Sequence, residues 1–288
     1  MKRKGIILAG GEGTRLNPLT LVCSKQLLPV FNKPMIFYPL SVLMLAKIRD
    51  VLIIIKKEDK QNFYRLLGNG SSIGMNIKYS IQNNPNGIAE ALLISEKFLN
   101  GSPSVLILGD NIFFGNGFIN LLDKANQDKK NSTIFLSHIE NPERYGVVSF
   151  KKDGSVSKIY EKPKTFHSNY AVTGLYFYNS NASKYATKLL PSKRGELEIT
   201  DLNNIFIKKN EMNVLKLKRG FFWSDVGTHD SLLETSSLIK KIEERNGLKI
   251  GCIEEIALKL NFISKSTYLK VISKYKGKYR KYLNNILK

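Results

Sequence analysis

The sequence predicts an α/β protein, with a mixed, mostly parallel central sheet flanked by helices and an appended helical carboxyl-terminal region. Short β-branched runs recur at Ile6 to Ala9, Val51 to Ile55 and Val105 to Leu108, each bounded by Gly, Asp or charged residues, as strands covered on both faces should be. Helix-length stretches separate them, the pattern of a parallel sheet whose ligands gather at the carboxyl ends of its strands. From Tyr145 onward the texture turns to hairpins, which makes the sheet mixed.

The first strand runs into Gly10-Gly11-Glu12-Gly13-Thr14-Arg15-Leu16, and Lys25 follows ten residues after Arg15. Glycines at three of four positions let backbone N–H groups approach a polyphosphate without interference from Cβ. Thr14, Arg15 and Lys25 add a hydroxyl and two cations. The loop reads as a cradle for a nucleoside triphosphate. Two familiar phosphate loops do not fit it. A P-loop needs Lys after its last glycine, where Thr14 stands, and the dinucleotide fingerprint meets Leu16 where its third glycine belongs.

Residues 35 to 47, after Lys33-Pro34, predict a helix. Residues 88 to 99 predict another, with Ile88, Ala91, Leu92, Ser95 and Leu99 on one face. Gly146 to Phe150 and Val156 to Tyr160 form a hairpin about Lys152-Asp153-Gly154. Tyr170 to Asn179, Met212 to Leu217 and Phe221 to Trp223 predict further strands. Thr228 or Asp230 caps a helix running to Glu244 and stopped by Asn246-Gly247, and Glu254 to Lys288 reads as helical. Residues 1–245 are expected to form the catalytic domain. Residues 246–288 are expected to form a helical extension packed on that domain and serving assembly or regulation.

With 288 residues the chain is long enough to bury a substantial core. Two cysteines, Cys23 and Cys252, make no disulfide framework, and the three histidines show no zinc spacing. The amino-terminal apolar run is too short for a secretory leader. The longest apolar stretch, Met35 to Ala46, contains Pro39 and falls short of a membrane span, so a cytoplasmic location and no membrane partner are expected. A net charge of +21 invites a nucleic-acid reading. However, 36 of the 45 basic residues are Lys and they are spread along the chain, the pattern of a solvated surface, so no nucleic-acid partner is expected. The sharpest asymmetry is at residues 256 to 288, where nine basic residues meet no acidic one.

Asp110 directly follows the strand Val105 to Leu108 and Gly109. Asp225 follows Phe221-Phe222-Trp223-Ser224 and precedes Gly227. Two strand-end aspartates opposite a triphosphate loop suit Mg²⁺, which binds one or two carboxylates together with substrate phosphates. Tyr160-Glu161-Lys162-Pro163 ends a hairpin strand. Glu161 beside Lys162 suits a sugar phosphate, although spacing alone does not separate this from a solvated charge pair.

Several blocks carry a closer likeness: Ser24-Lys25-Gln26-Leu27-Leu28-Pro29, Glu143 to Val148, Ser168 to Tyr178, Arg194-Gly195-Glu196-Leu197-Glu198-Ile199-Thr200-Asp201 and Asp225-Val226-Gly227-Thr228-His229. With the first loop they resemble the sugar nucleotidyltransferases, and among them the glucose-1-phosphate thymidylyltransferase family, across essentially the whole chain. The resemblance implies a Rossmann-like catalytic fold and Mg²⁺-dependent transfer of dTMP from dTTP to glucose 1-phosphate. It implies that Gly10, Gly13, Thr14 and Arg15 hold the triphosphate and Lys25 its α-phosphate, while Gln82 and Gly87 read the thymine edge and Leu108 packs beside the nucleoside. Asp110 and Asp225 would hold the metal. Tyr145, Gly146, Glu161, Val172 and Gly174 would form the glucose pocket, with Lys162 and Arg194 on the sugar phosphate. It further implies a homotetramer with feedback by dTDP-rhamnose at a separate site near Leu45, Phe114, Gly115, Arg219, Glu255 and Ile256.

The chain departs from the family pattern at Glu12, which should point outward from an anion loop, at the base-reading stretch Gln82 to Glu90, and at Val226, where a hydroxyl residue is usual. The alternatives are the same chemistry with UTP or another sugar phosphate, and a basic protein that binds nucleotide or nucleic acid without turnover.

Overall fold

The computed structural model describes residues 1–287. Its first strand, β1 (Lys4–Ala9), is central, and two-residue strands β2 (Pro29–Val30) and β3 (Lys33–Pro34) form a small ribbon after the phosphate loop. Helix α1 (Phe37–Leu45) then leads to β4 (Asp50–Ile55), and α2 (Lys60–Leu67) to β5 (Asn76–Ile81). The stretch expected as one helix over 88 to 99 is two, α3 (Glu90–Ile94) and α4 (Glu96–Leu99), broken at the fully buried Ser95. The Ser95 hydroxyl donates to the Leu92 carbonyl at 3.2 Å, the local competition by which serine weakens helix interiors.

After β6 (Ser104–Leu108), residues Gly109 and Asp110 turn the chain directly into β7 (Asn111–Gly115), followed by α5 (Phe118–Gln127) and β8 (Ser132–His138). The expected hairpin is β9 (Gly146–Phe150) and β10 (Val156–Glu161), and β11 (Tyr170–Tyr178) is the long strand beside it. Then come α6 (Ala182–Ala186), α7 (Ile199–Lys208), β12 (Met212–Lys216) and β13 (Phe221–Asp225). Helix α8 (His229–Asn246) is capped by Thr228 in a capping box with Ser231 and stops at Gly247 in the left-handed region. Three helices close the described chain: α9 (Ile253–Lys259), α10 (Lys265–Ile272) and α11 (Gly277–Asn285).

The nine-stranded sheet runs β10-β9-β11-β6-β1-β4-β5, with β8 and β12 branching from β11. Strands β6, β1, β4 and β5 are mutually parallel and β11 joins antiparallel to β6, giving the mixed sheet expected. Strand β13 corrects one expectation. It leaves the main sheet and pairs antiparallel with β7 as a separate ribbon, Asp225 opposite Asn111. The immediate reversal at Gly109 and Asp110 makes this possible by lifting β7 off the sheet.

Alternating side chains of the central strands feed two cores. Ile6, Leu52, Ile54 and Leu106 pack beneath α3, α6 and α7; Ile7, Ile53, Ile55 and Ile107 pack on the other face under α1, α2 and α5. Ile253 and Ala257 of α9 and Phe262 belong to this second core, so the carboxyl-terminal region is built into the main domain. Its last helices close over a small core of Cys252, Tyr268, Ile272 and Leu283.

Candidate active site

At the carboxyl end of β1 the chain turns through Gly10 to Gly13 into a single 3-10 turn, Thr14–Leu16, anchored by the fully buried Leu16. Among the described residues, the N–H groups of Gly11, Glu12, Gly13, Thr14 and Arg15 donate to no backbone or side-chain acceptor. Adjacent free backbone donors in a glycine-rich turn are groups that an anion can satisfy. The Glu12 side chain is exposed, as a carboxylate at such a loop must be. Lys25 opens a further 3-10 turn over the buried Gln26 and pairs with Asp110 Oδ2.

Asp110 sits where β6 turns into β7, and Asp225 ends β13, so the ribbon brings the second carboxylate over the first. Val226 N–H donates to the Asp110 carbonyl at 2.9 Å and locks this junction. Burial opposes the Asp110 charge, but Lys25 and then the Asn111 amide outweigh it and hold its carboxyl below the usual range. Burial likewise opposes the Lys25 charge, and Asp110 outweighs it and raises Lys25. For Asp225, burial and then the Asp110 charge act together and push it up to about 6. Its carboxylate accepts no hydrogen bond from the described residues. Gly227 permits close approach here: a Cβ would stand 2.9 Å from Arg15 Nη2 and 3.2 Å from Asp225 Oδ1.

Asn111 ties the two halves together and was not singled out from the sequence. Its Oδ1 accepts from Gly174 N–H at 3.0 Å and Trp223 Nε1 at 2.7 Å, and its Nδ2 donates to Asp110 Oδ1 at 3.0 Å. The Trp223 ring meets Tyr145 edge-on, with centroids 5.0 Å apart.

On the hairpin side, Glu161 accepts from Thr200 Oγ1 at 2.5 Å. Lys162 takes a left-handed φ of 41°, a costly conformation for a residue with a Cβ, while its N–H donates to the Tyr145 carbonyl at 3.0 Å. Arg194 departs from the expected free cation. Its Nη2 lies 2.8 Å from Glu198, 3.4 Å from Glu161 and 3.5 Å from Glu196, so the guanidinium is already engaged by carboxylates. Opposite, Gln82 is buried and donates to Glu90 at 2.6 Å.

These groups line one cleft of about 550 Å³. It gathers Arg15, Lys25, Gln82, Gly87, Leu108, Asp110 and Asp225 with Tyr145, Gly146, Glu161, Lys162, Val172, Gly174 and Arg194. Gly10, Gly13 and Thr14 do not line it: a Cβ on Gly10 would meet the Gln82 side chain, one on Gly13 would meet Thr20 and then the Lys25 stem, and Thr14 is exposed. The lining adds Asn111, Arg144, Tyr176, Glu198, Thr200 and Trp223, none of which the sequence reading placed there. Thr200 and Glu198 lay within a quoted block, and Trp223 two residues before Asp225; each gave a signal of position but none of role.

Two carboxylates brought together beside Lys25, with no donor on Asp225 among the described residues, form an all-oxygen pair, the ligand chemistry of a hard divalent cation. Among the described residues no group of three His, Cys, Asp or Glu side chains gathers, so substrate phosphates and water would complete any such site. Neither cysteine offers a thiolate: burial raises Cys23, and raises Cys252 to about 12.

A sheet-end cleft with free backbone donors on a glycine loop and two strand-end aspartates has the parts of an α/β phosphoryl-group transferase. Residues 4–242 match the sequence profile of the nucleotidyl transferase family. The chain is 50% identical to the glucose-1-phosphate thymidylyltransferase of Xanthomonas campestris pv. campestris, over 100% of this chain and 98% of that one. A proposed glucose-1-phosphate thymidylyltransferase from Bacillus anthracis, solved with sucrose, superposes with a TM-score of 0.75 at 40% identity, covering 82% of this chain and 94% of that one. A UDP-glucose pyrophosphorylase complexed with UDP-glucose shares the fold at a TM-score of 0.73 and 23% identity, covering 84% of this chain and 100% of that one. The chain belongs to the nucleotidyl transferase family and, within it, to the glucose-1-phosphate thymidylyltransferases.

Proposed function

We propose that the chain transfers dTMP from dTTP to glucose 1-phosphate, giving dTDP-glucose and pyrophosphate. The observation that carries this reading is the Asp110 and Asp225 pair in one cleft with Gly11 and Arg15, the two residues of the free-donor loop that line it. A phosphate oxygen of glucose 1-phosphate attacks the α-phosphorus in line. The new O–P bond forms as the bond to the β-phosphate oxygen breaks, and the pyrophosphate leaves with that electron pair. The attacking oxygen is already ionised at neutral pH, so the obstacles are anion repulsion and alignment rather than proton transfer.

Each group then has a defined task. The loop donors hold the β- and γ-phosphates, and Arg15 meets the charge growing on the leaving pyrophosphate. Lys25 exchanges Asp110 for the α-phosphate. Lys162 holds the phosphate of the acceptor, whose sugar hydroxyls meet Glu161 and the walls at Tyr145, Gly146, Val172 and Gly174. Asp110 and Asp225 would hold Mg²⁺, which when bound neutralises phosphate charge. Glucose 1-phosphate labelled with ¹⁸O at the bridging C1 oxygen tests the direction of attack. The label is expected to remain wholly in dTDP-glucose, and its loss would rule out attack by the sugar phosphate.

A further inference from the structure

We infer that the basic surface of α10 and α11 docks this chain onto anionic lipid surfaces. Residues 256 to 288 hold nine Lys and Arg and no Asp or Glu, and so supply nine of the 21 net positive charges. Among the described residues only Lys259 of this set meets a carboxylate, Glu255 at 2.6 Å. Lys270, Lys274, Lys276, Lys278, Arg280 and Lys281 are exposed and form no ion pair with any described residue. These charges do not serve the fold. Neither helix has an acidic residue in its first turn, where Lys265 opens α10 and Lys276 and Lys278 flank Gly277 at the start of α11. A cation at the positive end of a helix dipole is unfavourable. The inner sides of the two helices share a core of Tyr268, Ile272 and Leu283, and the Tyr268 hydroxyl donates to the Leu283 carbonyl at 2.9 Å. The pair therefore presents its cations outward as one surface. No residue from 256 to 288 lines the cleft, so this surface is separate from it.

The same face of a second copy would be repelled, so the complement is an anion. Its chemistry favours lipid headgroups over nucleic acid or an acidic protein. Eight of the nine basic residues are Lys, which act as point charges rather than as the planar forks that read carboxylates and base edges. The tyrosines that could stack on bases are engaged inward: Tyr275 and Tyr279 donate to Glu254 at 2.5 and 2.7 Å, and Tyr282 donates to Glu255. Leu269, 47% exposed beside Lys270, is an apolar group of the kind that enters the headgroup layer. Clustered cations at an anionic leaflet need no fixed partner geometry, because each gains from the surface potential. The expectation of no membrane partner rested on the lack of a spanning segment, and attraction to a surface needs none.

Co-sedimentation of the full-length protein with vesicles of equimolar phosphatidylglycerol and phosphatidylcholine, and with vesicles of phosphatidylcholine alone, tests the inference. Wild type is expected to bind the first but not the second, and to be released by salt. K270Q/K274Q/K278Q/K281Q is expected to weaken partition by about 10²- to 10³-fold, the combined effect of four cations at a charged surface. K270R/K274R/K278R/K281R keeps wild-type binding and separates charge from packing, and circular dichroism checks that each variant is folded. K151Q/K152Q/K184Q/K188Q removes the same charge from exposed positions outside the region and keeps most of the binding. Failure of wild type to bind the anionic vesicles, equal binding to both vesicles, equal loss in the two Gln variants, or loss in the Arg variant would overturn the inference. Tighter binding of duplex DNA or polyglutamate than of anionic vesicles at the same ionic strength would also overturn it, and would assign the surface to nucleic acid or to an acidic protein.

Discussion

At the scale of single residues, the cleft is a set of charges held in reserve. Lys25 already neutralises Asp110 and Arg194 is held by Glu198, whereas Asp225 accepts no hydrogen bond from the described residues and is pushed up to about 6 by burial and then by the Asp110 charge. On the proposed reading, substrate phosphates and metal would replace protein partners rather than enter an empty field. Asp110→Asn and Asp225→Asn are each expected to lower kcat by about 10² to 10³, the scale of one lost preorganised contact to developing charge, with an unchanged circular dichroism spectrum. Near-normal turnover at saturating Mg²⁺ would remove the substituted residue from that role. Glu161→Gln and Lys162→Met are expected to raise KM for glucose 1-phosphate far more than they weaken dTTP binding by calorimetry, because both sit on the hairpin side. A matching loss of dTTP affinity would contradict that division.

At the scale of elements, the glycine loop was legible as a strand-to-turn junction because its pattern is local. A β-branched run, three glycines and two cations lie within 20 residues of one another, so spacing alone assembled the loop. The junction of Asp110 with Asp225 was half legible: each aspartate was recognised at a strand end, but the β7 and β13 ribbon that joins them pairs residues 111 to 115 with 221 to 225, a contact no local pattern encodes. Asn111 was missed for the same reason, since its partners Gly174 and Trp223 are distant in sequence. The single helix expected over 88 to 99 failed at Ser95, where periodicity continued but a buried hydroxyl turned back on its own backbone.

Helix α8 shows a second long-range junction. Its buried Glu243 accepts from Asn32 Nδ2 and Lys33 Nζ at 2.7 Å, Lys249 Nζ at 3.1 Å and Ile250 N–H at 3.0 Å, pinning the β2 and β3 ribbon to the start of the carboxyl-terminal region. Burial opposes the Glu243 charge but Lys33 and Asn32 outweigh it, so its pKa is lowered. At Lys33 burial wins and the pKa is lowered too. The partners differ in balance, and the four donors on Glu243 identify the carboxylate as the anchor. Glu243→Ala is expected to cost about 3 to 5 kcal/mol, because it strands a buried ammonium. Because the folded pKa of Glu243 is depressed, its contribution is complete above the ordinary glutamate range and lost as pH falls through the folded value. Denaturant melts of wild type and variant should therefore converge in acid; a constant gap down to low pH would contradict the assignment.

At the scale of the whole molecule, the carboxyl-terminal region is a structural part of the domain. The basic run at 256 to 288 lacks acidic residues, yet Ala257 and Phe262 lie in the central core, and Tyr275 and Tyr279 donate to the fully buried Glu254 at 2.5 and 2.7 Å. Deleting residues 256 to 288 is therefore expected to lower stability by at least about 3 kcal/mol from the lost Phe262 alone. The proposed assembly and feedback roles would fail with it. An unchanged melting temperature would contradict this packing. The residues proposed for feedback, among them Leu45, Phe114, Gly115 and Ile256, lie outside the cleft lining on α1, β7 and α9. The β7 and β13 ribbon runs between the two places, with Asp225 opposite Asn111 at one end and Phe221 opposite Gly115 at the other. No helix among the described residues is long and apolar enough to cross a membrane.

The most direct test of the proposed reaction is a matrix of dTTP, UTP, dCTP and ATP against several sugar 1-phosphates, with pyrophosphate release as the readout in the presence and absence of chelator. The expected result is Mg²⁺-dependent release that is fastest with dTTP and glucose 1-phosphate. UTP, which lacks the thymine methyl and carries a ribose 2′-hydroxyl, is expected to be slower by a modest factor, of which the methyl accounts for about 1 to 3 kcal/mol. Release with UTP but not dTTP, or with no triphosphate at all, would contradict it.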